Sequence, residues 1–209
     1  MTHEILIAGF GGQGVLFAGK LLAYAAMLEG KYVSWLPSYG PEMRGGTANC
    51  SVIVSDEPVS CPVVTNPTVL VAMNGPSLDK FEDTVIENGC IFIDSSLISQ
   101  DFKRNDTKNY AIPSTKMADD LNATKLANMV LLGKVIKEAG ILPFESILNA
   151  LQKTVPASKQ AMLEINKQAF PQNAVRAYGK LRCRSQRKNP LQYPIFSLLQ
   201  SERATPNPR

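Results

Sequence analysis

The sequence predicts an α/β domain with a mostly parallel sheet, flanking helices and a helical C-terminal part. The first observation is an alternation of short apolar runs with segments of helical spacing over the first half of the chain, which is typical of strand–helix–strand units. The second is a glycine-rich turn between the first apolar run and the first helical segment. The third is that the spacing from residue 114 onward is helical alone, which predicts helices that close the sheet.

The predicted strands are short and several are apolar throughout, as expected for strands buried on both faces. They are HEILIAGF, KYVSWL, TANCSVIVS, TVLVAMN, CIFIDSSLI and a short additional strand at residues 110–112, before Pro113. Helical spacing, with Pro at starts and Gly at stops, predicts five helices. They cover 14–30, 75–89, 114–140, 143–155 and 157–181, the last interrupted at Pro171.

Composition limits the classes of function. The 209 residues are 44% hydrophobic, and no run of 18 apolar residues occurs, so we expect a cytoplasmic protein without a membrane partner. The start, MTHEILIAGF, lacks a basic region and is predicted as a strand rather than a signal peptide. The four cysteines have no C-x-x-C spacing and the single histidine is His3, which argues against a metal site or an iron–sulfur cluster carried by this chain alone. We therefore assign no catalytic and no metal-binding residue.

Charge divides the chain into two parts. Residues 176–209 hold eight Lys/Arg and one Glu, a charge of +7, whereas residues 1–175 hold 14 basic and 17 acidic residues, a charge of −3. The main domain, predicted over residues 1–175, gives no reason to expect nucleic acid binding. Residues 176–209 are predicted to be a basic tail that is either disordered or not native to the fold.

The sequence GFGGQG follows the first predicted strand and matches G-x-G-x-x-G, which makes the predicted fold Rossmann-like. Glycines permit a tight turn and a close approach to backbone amides at a helix start, which favour an anion. An NAD(P) site would also need an acid after the second strand, but VSWLP has none, and Glu29 precedes that strand. Three alternatives stay open: a turn without a ligand, a turn that binds a phosphate-bearing group, and a turn that packs against a partner that binds one. The candidate binding residues are Gly9, Gly11, Gly12, Gln13 and Gly14.

A second candidate is the long loop that follows the second predicted strand. Ligands of open α/β sheets bind at the carboxyl ends of strands, so this loop is expected beside the glycine turn. A guanidinium suits a phosphate or carboxylate, and flanking glycines let the backbone come close. The alternative is a solvated turn with a local ion pair. The candidate residues are Ser38, Tyr39, Glu42, Arg44, Gly45 and Gly46.

Two asparagines complete the set of candidates. Asn74 follows the strand TVLVAM and is expected either to contact the same ligand or to cap the next helix, and we favour capping. Asn128 lies within an apolar helical pattern. Its side chain is expected either to bond a neighbouring backbone group or to contact a partner subunit.

The motif GFGGQGV followed by PSYGPEMRGGTANCSV resembles the gamma subunit, or gamma-type domain, of the 2-oxoacid:ferredoxin oxidoreductases. The resemblance continues through NGPSLDKF, GCIFIDSSLI and LANMVLLGKVIKEAG, and covers about residues 3–170. The tail from about Leu181 does not resemble the family, so nothing is carried over to it.

The resemblance implies a subunit of a complex that oxidatively decarboxylates a 2-oxoacid to an acyl-CoA and passes two electrons to ferredoxin. Thiamine diphosphate and Mg²⁺ are implied on alpha and beta subunits, and iron–sulfur clusters on a delta subunit or a beta-subunit extension. The gamma chain helps to form the coenzyme A site, to which Gly11, Gly12, Gln13, Arg44 and Gly45 are expected to contribute. By itself the chain is expected to be inactive.

The motif SYGPEMRGGTANC is somewhat more similar to 2-oxoglutarate and branched-chain types, and the family implies an anaerobic metabolism. The alternatives are a free-standing NAD(P)-binding reductase of Rossmann type and a non-catalytic assembly protein.

Overall fold

The computed structural model describes residues 1–38 and 47–154. Six strands form one sheet in the order β2-β3-β1-β4-β5-β6. The strands are β1 Thr2–Phe10, β2 Tyr32–Ser38, β3 Thr47–Ser55, β4 Val69–Ala72, β5 Cys90–Asp94 and β6 Lys108–Ile112. The α/β class and the flanking helices predicted from the sequence are confirmed.

Five strands run in one direction, and β3 runs against them. β1 pairs in parallel with β4, β4 with β5, and β5 with β6, whereas β3 is antiparallel to both β1 and β2. Only eight residues separate β2 from β3. A parallel connection needs a crossover of about a dozen residues or more, so the short segment makes β2 and β3 an antiparallel hairpin.

Helices cover the two faces of the sheet unequally. We call the face that carries Ile5, Ile7 and Val71 the first face; α1, α3, α4 and α5 pack there. The second face carries Leu6, Leu70 and the smaller helix α2. The helices are α1 Val15–Leu28, α2 Gly75–Phe81, α3 Ser114–Asp120, α4 Ala127–Ala139 and α5 Phe144–Thr154. Within the described residues, none of the helices combines the length and the apolar character needed to cross a bilayer.

Two predicted helices are shorter than the sequence pattern indicated. The pattern over residues 114–140 is not one helix, because Asn122 takes a positive φ of 52° and a 3-10 turn at Thr124–Leu126 separates α3 from α4. The helix predicted up to Gly89 ends at Phe81 and continues only as the 3-10 turn Glu82–Thr84. The helix predicted over residues 157–181 and the basic tail lie outside the described residues.

Glu82, the C-cap residue of α2, bonds outside its own helix. Its side chain is buried, at 1% exposure, and one carboxylate oxygen accepts hydrogen bonds from the backbone N–H groups of Lys103 (2.6 Å) and Arg104 (3.2 Å). A buried carboxylate needs such donors, and these come from the loop before β6 rather than from a helical position. The contact ties the end of α2 to the loop before β6, a tertiary feature that helical spacing does not record.

Candidate functional site

A tight turn joins the first strand to the first helix. β1 ends at Phe10 and α1 begins at Val15, so residues 11–14 make the whole connection. Gly12 and Gly14 have φ angles of 93° and 76°. Left-handed backbone of this kind costs an L-residue about 1–2 kcal/mol, so both positions favour glycine for conformational reasons.

Hydrogen bonds of Gln13 connect this turn to the end of β4. Its Oε1 accepts a hydrogen bond from the Phe10 N–H (2.6 Å), and its Nε2 donates to the Met73 carbonyl (3.0 Å). A Cβ at Gly9 would lie only 2.7 Å from Gln13 Oε1, so the missing side chain lets the amide fold back against the turn. Both ends of the Gln13 amide thus bond within the chain, and its contact with a ligand stays a prediction.

Asn128, in the first turn of α4, holds the other end of the glycine turn. Its Nδ2 donates a hydrogen bond to the Gly14 carbonyl (3.1 Å), and its side chain is buried, at 5% exposure. A Cβ at Gly14 would lie 2.5 Å from that nitrogen. Of the two contacts expected for Asn128, the structure therefore has the one with a backbone group. Within the described chain its Oδ1 has no hydrogen-bond partner.

Asn74 begins the corresponding turn after β4. Its Oδ1 accepts a hydrogen bond from the Ser77 N–H (2.8 Å), so it is the N-cap of α2, as favoured from the sequence. Pro76 occupies the first turn, where its missing N–H costs nothing. The side chain is 3% exposed, and its Nδ2 has no partner within the described chain.

The two turns lead to opposite faces of the sheet. β1 and β4 are adjacent and parallel, but β1 continues into α1 on the first face and β4 into α2 on the second. In open α/β sheets, such a change of direction marks the place, at the carboxyl ends of the two strands, where ligands bind. Gly11 and Gly12 are exposed beside it, and a Cβ at Gly12 would have no atom within 4 Å.

Both ends of segment 39–46 lie at the edge of the sheet that carries the glycine turn. Ser38, the last residue of β2, is exposed and lies opposite Asn49, while Thr47, the first residue of β3, lies opposite Phe10 at the end of β1. The segment therefore finishes beside the glycine turn and starts at the same edge of the sheet, with β3 between β2 and β1. The predicted residues within it lie outside the described part of the chain: Tyr39, Glu42, Arg44, Gly45 and Gly46. We call residues 9–14 and 38–46 together with Asn74 the switch-point site.

One known family matches most of the chain. The family model described as pyruvate ferredoxin/flavodoxin oxidoreductase matches residues 4–174, which include the whole switch-point site. The chain belongs to this family.

Three members of the oxidoreductase family illustrate the likeness. The VorA subunit of ketoisovalerate oxidoreductase from Methanothermobacter thermautotrophicus is 43% identical over 165 residues, which are 78% of this chain and 34% of VorA. The KorC subunit of 2-oxoglutarate synthase from Methanocaldococcus jannaschii is 38% identical over 75% of this chain and 85% of KorC. The crystal structure of the keto/oxoacid ferredoxin oxidoreductase gamma subunit from Geobacter sulfurreducens superimposes with a TM-score of 0.71 at 31% identity, covering 81% of this chain and 93% of that one.

These likenesses confirm the resemblance to gamma-type chains of the family. The relatives also differ in length. This chain spans most of KorC but only about a third of the length of VorA.

The start of α1 in this family member is not neutralised by its own side chains. Gly14, the N-cap residue, has no side chain to cap the helix, and the first turn of α1, all of it described, contains no acidic residue. The unbonded amides and the positive end of the helix dipole therefore favour an anion here by about 0.3–1 kcal/mol at an exposed site.

Glu29 and Cys50 have structural roles. Glu29 lies at the far end of α1, where its Oε1 accepts a hydrogen bond from Ser146 Oγ of α5 (2.6 Å), so it cannot grip a ribose at the switch-point site. Cys50 is fully buried and its thiol donates to the Val15 carbonyl at 3.6 Å. Burial raises the pKa of Cys50 to about 12, so the thiol stays protonated and unreactive.

Asp94 is a residue that sequence reasoning missed. It ends β5, at the same edge of the sheet as the switch-point site, and is fully buried. Its Oδ2 accepts hydrogen bonds from the hydroxyl (2.6 Å) and the N–H (3.1 Å) of Thr115, and its Oδ1 accepts one from the Ser96 N–H (3.0 Å). Asp94 thereby fixes the start of α3. The available signal was an acid directly after the buried run CIFI.

Proposed function

We propose that this chain is the gamma subunit of a cytoplasmic 2-oxoacid:ferredoxin oxidoreductase complex. The complex would convert a 2-oxoacid and coenzyme A to an acyl-CoA and CO₂, and the two electrons released would reduce ferredoxin. Family membership supports the class of complex. The observation that carries this chain's part in it is that segment 39–46 ends opposite Phe10, beside the glycine turn, and starts at the same edge of the sheet, one strand further from β1.

Coenzyme A has the chemistry that this site favours. Its diphosphate and 3′-phosphate are anions, which suit exposed glycine amides at the start of a helix that carries no acid in its first turn. Arg44, in the segment that ends beside those amides, would add a fixed cation with bidentate geometry. The glycine at position 12 leaves the backbone open to close approach, because nothing lies within 4 Å of its missing Cβ.

The chain's contribution is binding and orientation. Thiamine diphosphate, held with Mg²⁺ by alpha and beta chains, supplies the decarboxylation chemistry, and iron–sulfur clusters on other chains carry the electrons. Residues of the switch-point site would hold the anionic end of coenzyme A and aim its thiol toward the companion chains. No proton transfer is assigned to this chain. Relatives are named for ketoisovalerate and for 2-oxoglutarate, so the substrate class proposed is a 2-oxoacid read by the companion chains.

The test is steady-state kinetics of the native complex carrying Arg44→Ala, with coenzyme A varied at saturating 2-oxoacid and ferredoxin. Losing a charge-assisted bond of about 1.5–3 kcal/mol should raise the KM for coenzyme A about 10- to 100-fold. Lys137→Ala is the matched control, because it removes an exposed positive charge at the opposite end of α4 from Asn128. It should leave the KM unchanged.

Two results would contradict the proposal. One is a native preparation in which no alpha- or beta-type chain accompanies this one. The other is an Arg44→Ala complex whose KM for coenzyme A and turnover both match the wild type, which would remove Arg44 from the site.

A further inference from the structure

The Gly14 carbonyl accepts two hydrogen bonds, one more than it needs to be paired. The Ala18 N–H donates to it at 3.0 Å, which is the first hydrogen bond of α1, and Asn128 Nδ2 donates to it at 3.1 Å from the first turn of α4. Because the Ala18 bond already satisfies this carbonyl, removal of the Asn128 bond would not leave a buried acceptor unpaired. The pairing of the Gly14 carbonyl therefore does not require Asn128.

Asn128 is an unfavourable choice of residue for stability alone. Its side chain is buried, yet within the described chain its Oδ1 has no hydrogen-bond partner. Leaving a buried polar atom unpaired costs at least as much as one neutral hydrogen bond contributes, so the loss at Oδ1 offsets the gain from the Gly14 bond. The residues around it in α4 are apolar, and a leucine, which has the same branched shape, would bring no unpaired atom. Stability therefore does not account for an asparagine here.

The bond from Asn128 also sets the direction of an amide. A peptide unit is planar and trans, so fixing the Gly14 carbonyl fixes the Val15 N–H, which points the opposite way. The first helical bond is donated by Ala18, so the N–H groups of residues 15–17 have no partner within α1.

The peptide between Gly14 and Val15 has little other restraint. Gly14 has a φ of 76° and no Cβ, so its backbone meets little steric resistance to rotation. The Ala18 bond belongs to the first turn of the helix, and helix ends fray. The Asn128 bond comes from another helix and does not depend on that turn. Asn128 therefore holds a peptide that glycine alone would leave free to rotate.

We propose that Asn128 is a positioning residue, which keeps the unbonded amides at the start of α1 directed at the anionic part of coenzyme A. This inference rests on the proposed function, because coenzyme A is the anion proposed for the switch-point site. Donors that are already ordered in the free protein bind an anion more tightly, because binding need not order them. Asn128 acts through the Gly14–Val15 peptide, so it affects the affinity for coenzyme A and not the chemical step.

Asn109 offers a matched control. It is also a buried asparagine, and its Nδ2 donates a hydrogen bond to the Arg104 carbonyl (2.8 Å). Its Oδ1 is paired, because it accepts a hydrogen bond from Thr107 Oγ1 (2.9 Å). It lies near the amino end of β6, three strands away from β1, whereas the switch-point site lies at the carboxyl ends of the strands. The same substitution at Asn109 therefore removes bonds of the fold away from the site.

The experiment compares Asn128→Leu with Asn109→Leu. Kinetics of the native complex are measured with coenzyme A varied at saturating 2-oxoacid and ferredoxin, and the full-length chain is unfolded thermally. Asn128→Leu should raise the KM for coenzyme A about three- to tenfold at unchanged kcat, the range expected for one neutral hydrogen bond. Its melting temperature should stay within about 2 °C of the wild type, because the lost bond and the removed unpaired atom offset each other. Asn109→Leu should instead melt about 4–10 °C lower and keep the wild-type KM.

An Asn128→Leu complex with the wild-type KM for coenzyme A overturns the inference. So does an Asn109→Leu complex whose KM rises as much, because the KM would then respond to the loss of any buried amide. If Asn128→Leu does not fold, Asn128→Ala takes its place: it should melt lower because of the cavity, and its KM should still rise at unchanged kcat. An unchanged KM in Asn128→Ala likewise overturns the inference.

Arg44→Ala separates this inference from the proposed function. A KM for coenzyme A that rises in Arg44→Ala but in neither Asn128 variant contradicts the positioning role and leaves the proposed function standing. A KM that is unchanged in all of these variants contradicts the proposed function itself, and the positioning role with it.

Discussion

At Gly14 a methyl group would meet two obstacles, one in the backbone and one in the Asn128 side chain. Gly30 offers a matched comparison, because its φ of 73° is close to the 76° of Gly14 but nothing lies within 4 Å of its missing Cβ. Gly30→Ala should therefore cost only the backbone term, about 1–2 kcal/mol. Gly14→Ala should cost about 1–3 kcal/mol more, because it also displaces the buried Asn128 amide. Chemical denaturation of both variants measures the difference.

The double variant with Asn128→Ala separates the two terms for Gly14. Once the Asn128 amide is gone, the added cost of Gly14→Ala over Gly30→Ala should disappear. If that extra cost persists in the Asn128→Ala background, the contact between Asn128 and Gly14 is not its source.

The role of a single residue in the switch-point site could be predicted from the sequence only where its chemistry allows few structural roles. The glycine turn was predictable because a left-handed backbone selects glycine, and the strand before it and the helix after it fix its place. The hydrogen bonds of Gln13 to the backbone could not be predicted, because a side-chain amide can bond a ligand and a backbone group equally well. Only the tertiary position of the Met73 carbonyl decides between them.

The N-cap of α2 predicts how substitutions of Asn74 change the stability of the protein. Removing the Asn74 oxygen that bonds the Ser77 N–H should destabilise the protein by about 1 kcal/mol in Asn74→Ala. Asn74→Ser should recover most of this loss, because serine is an uncharged N-cap residue of similar strength. Thermal unfolding of the three proteins checks the order. Equal melting temperatures for Asn74→Ala and Asn74→Ser would show that the hydrogen bond of the cap contributes little.

Elements were predictable where local patterning decides them. The strand TANCSVIVS was predicted over the range that β3 occupies, Thr47–Ser55, because it alternates and follows a glycine pair. The reversed direction of β3 was missed, since strand patterning carries no direction and only the shortness of the connection decides it. The break between α3 and α4 at Asn122 was missed because a left-handed asparagine interrupts a helix without disturbing its apolar spacing.

For the whole molecule, the single histidine predicts a pH dependence of stability. Burial lowers the pKa of His3 below its usual 6.5, and the neighbouring N-terminal ammonium lowers it further. The folded state therefore binds this proton less tightly than the unfolded state. The contribution of His3 to the free energy of unfolding is fully present above pH 6.5. It declines as the pH falls from there toward the pKa of His3 in the folded state. Denaturation from pH 7 to pH 5 should show this decline, and His3→Gln should flatten it.

A second ionisable group acts in a different pH window. Hydrogen bonds and ion pairs with Lys31 and the N-terminal ammonium lower the pKa of Asp56 from 3.8 to about 2. Its contribution is present above pH 3.8 and is lost as the pH falls toward 2. Asp56→Asn also removes a negative charge that raises the pKa of His3, so the decline in stability between pH 7 and pH 5 should become steeper in this variant. If the decline in stability between pH 7 and pH 5 is unchanged in His3→Gln, His3 is not the source of that decline.

The β2–β3 hairpin has a consequence for how the family can diversify. Segment 39–46 begins and ends on the ladders that β3 forms with β2 and β1, so its length and sequence can change while every strand stays paired as before. Segment 39–46 can thus be exchanged while the flanking strands keep their pairing. Transplanting eight residues from a relative should be enough to change how the complex binds coenzyme A, with no need to rebuild the sheet beneath them.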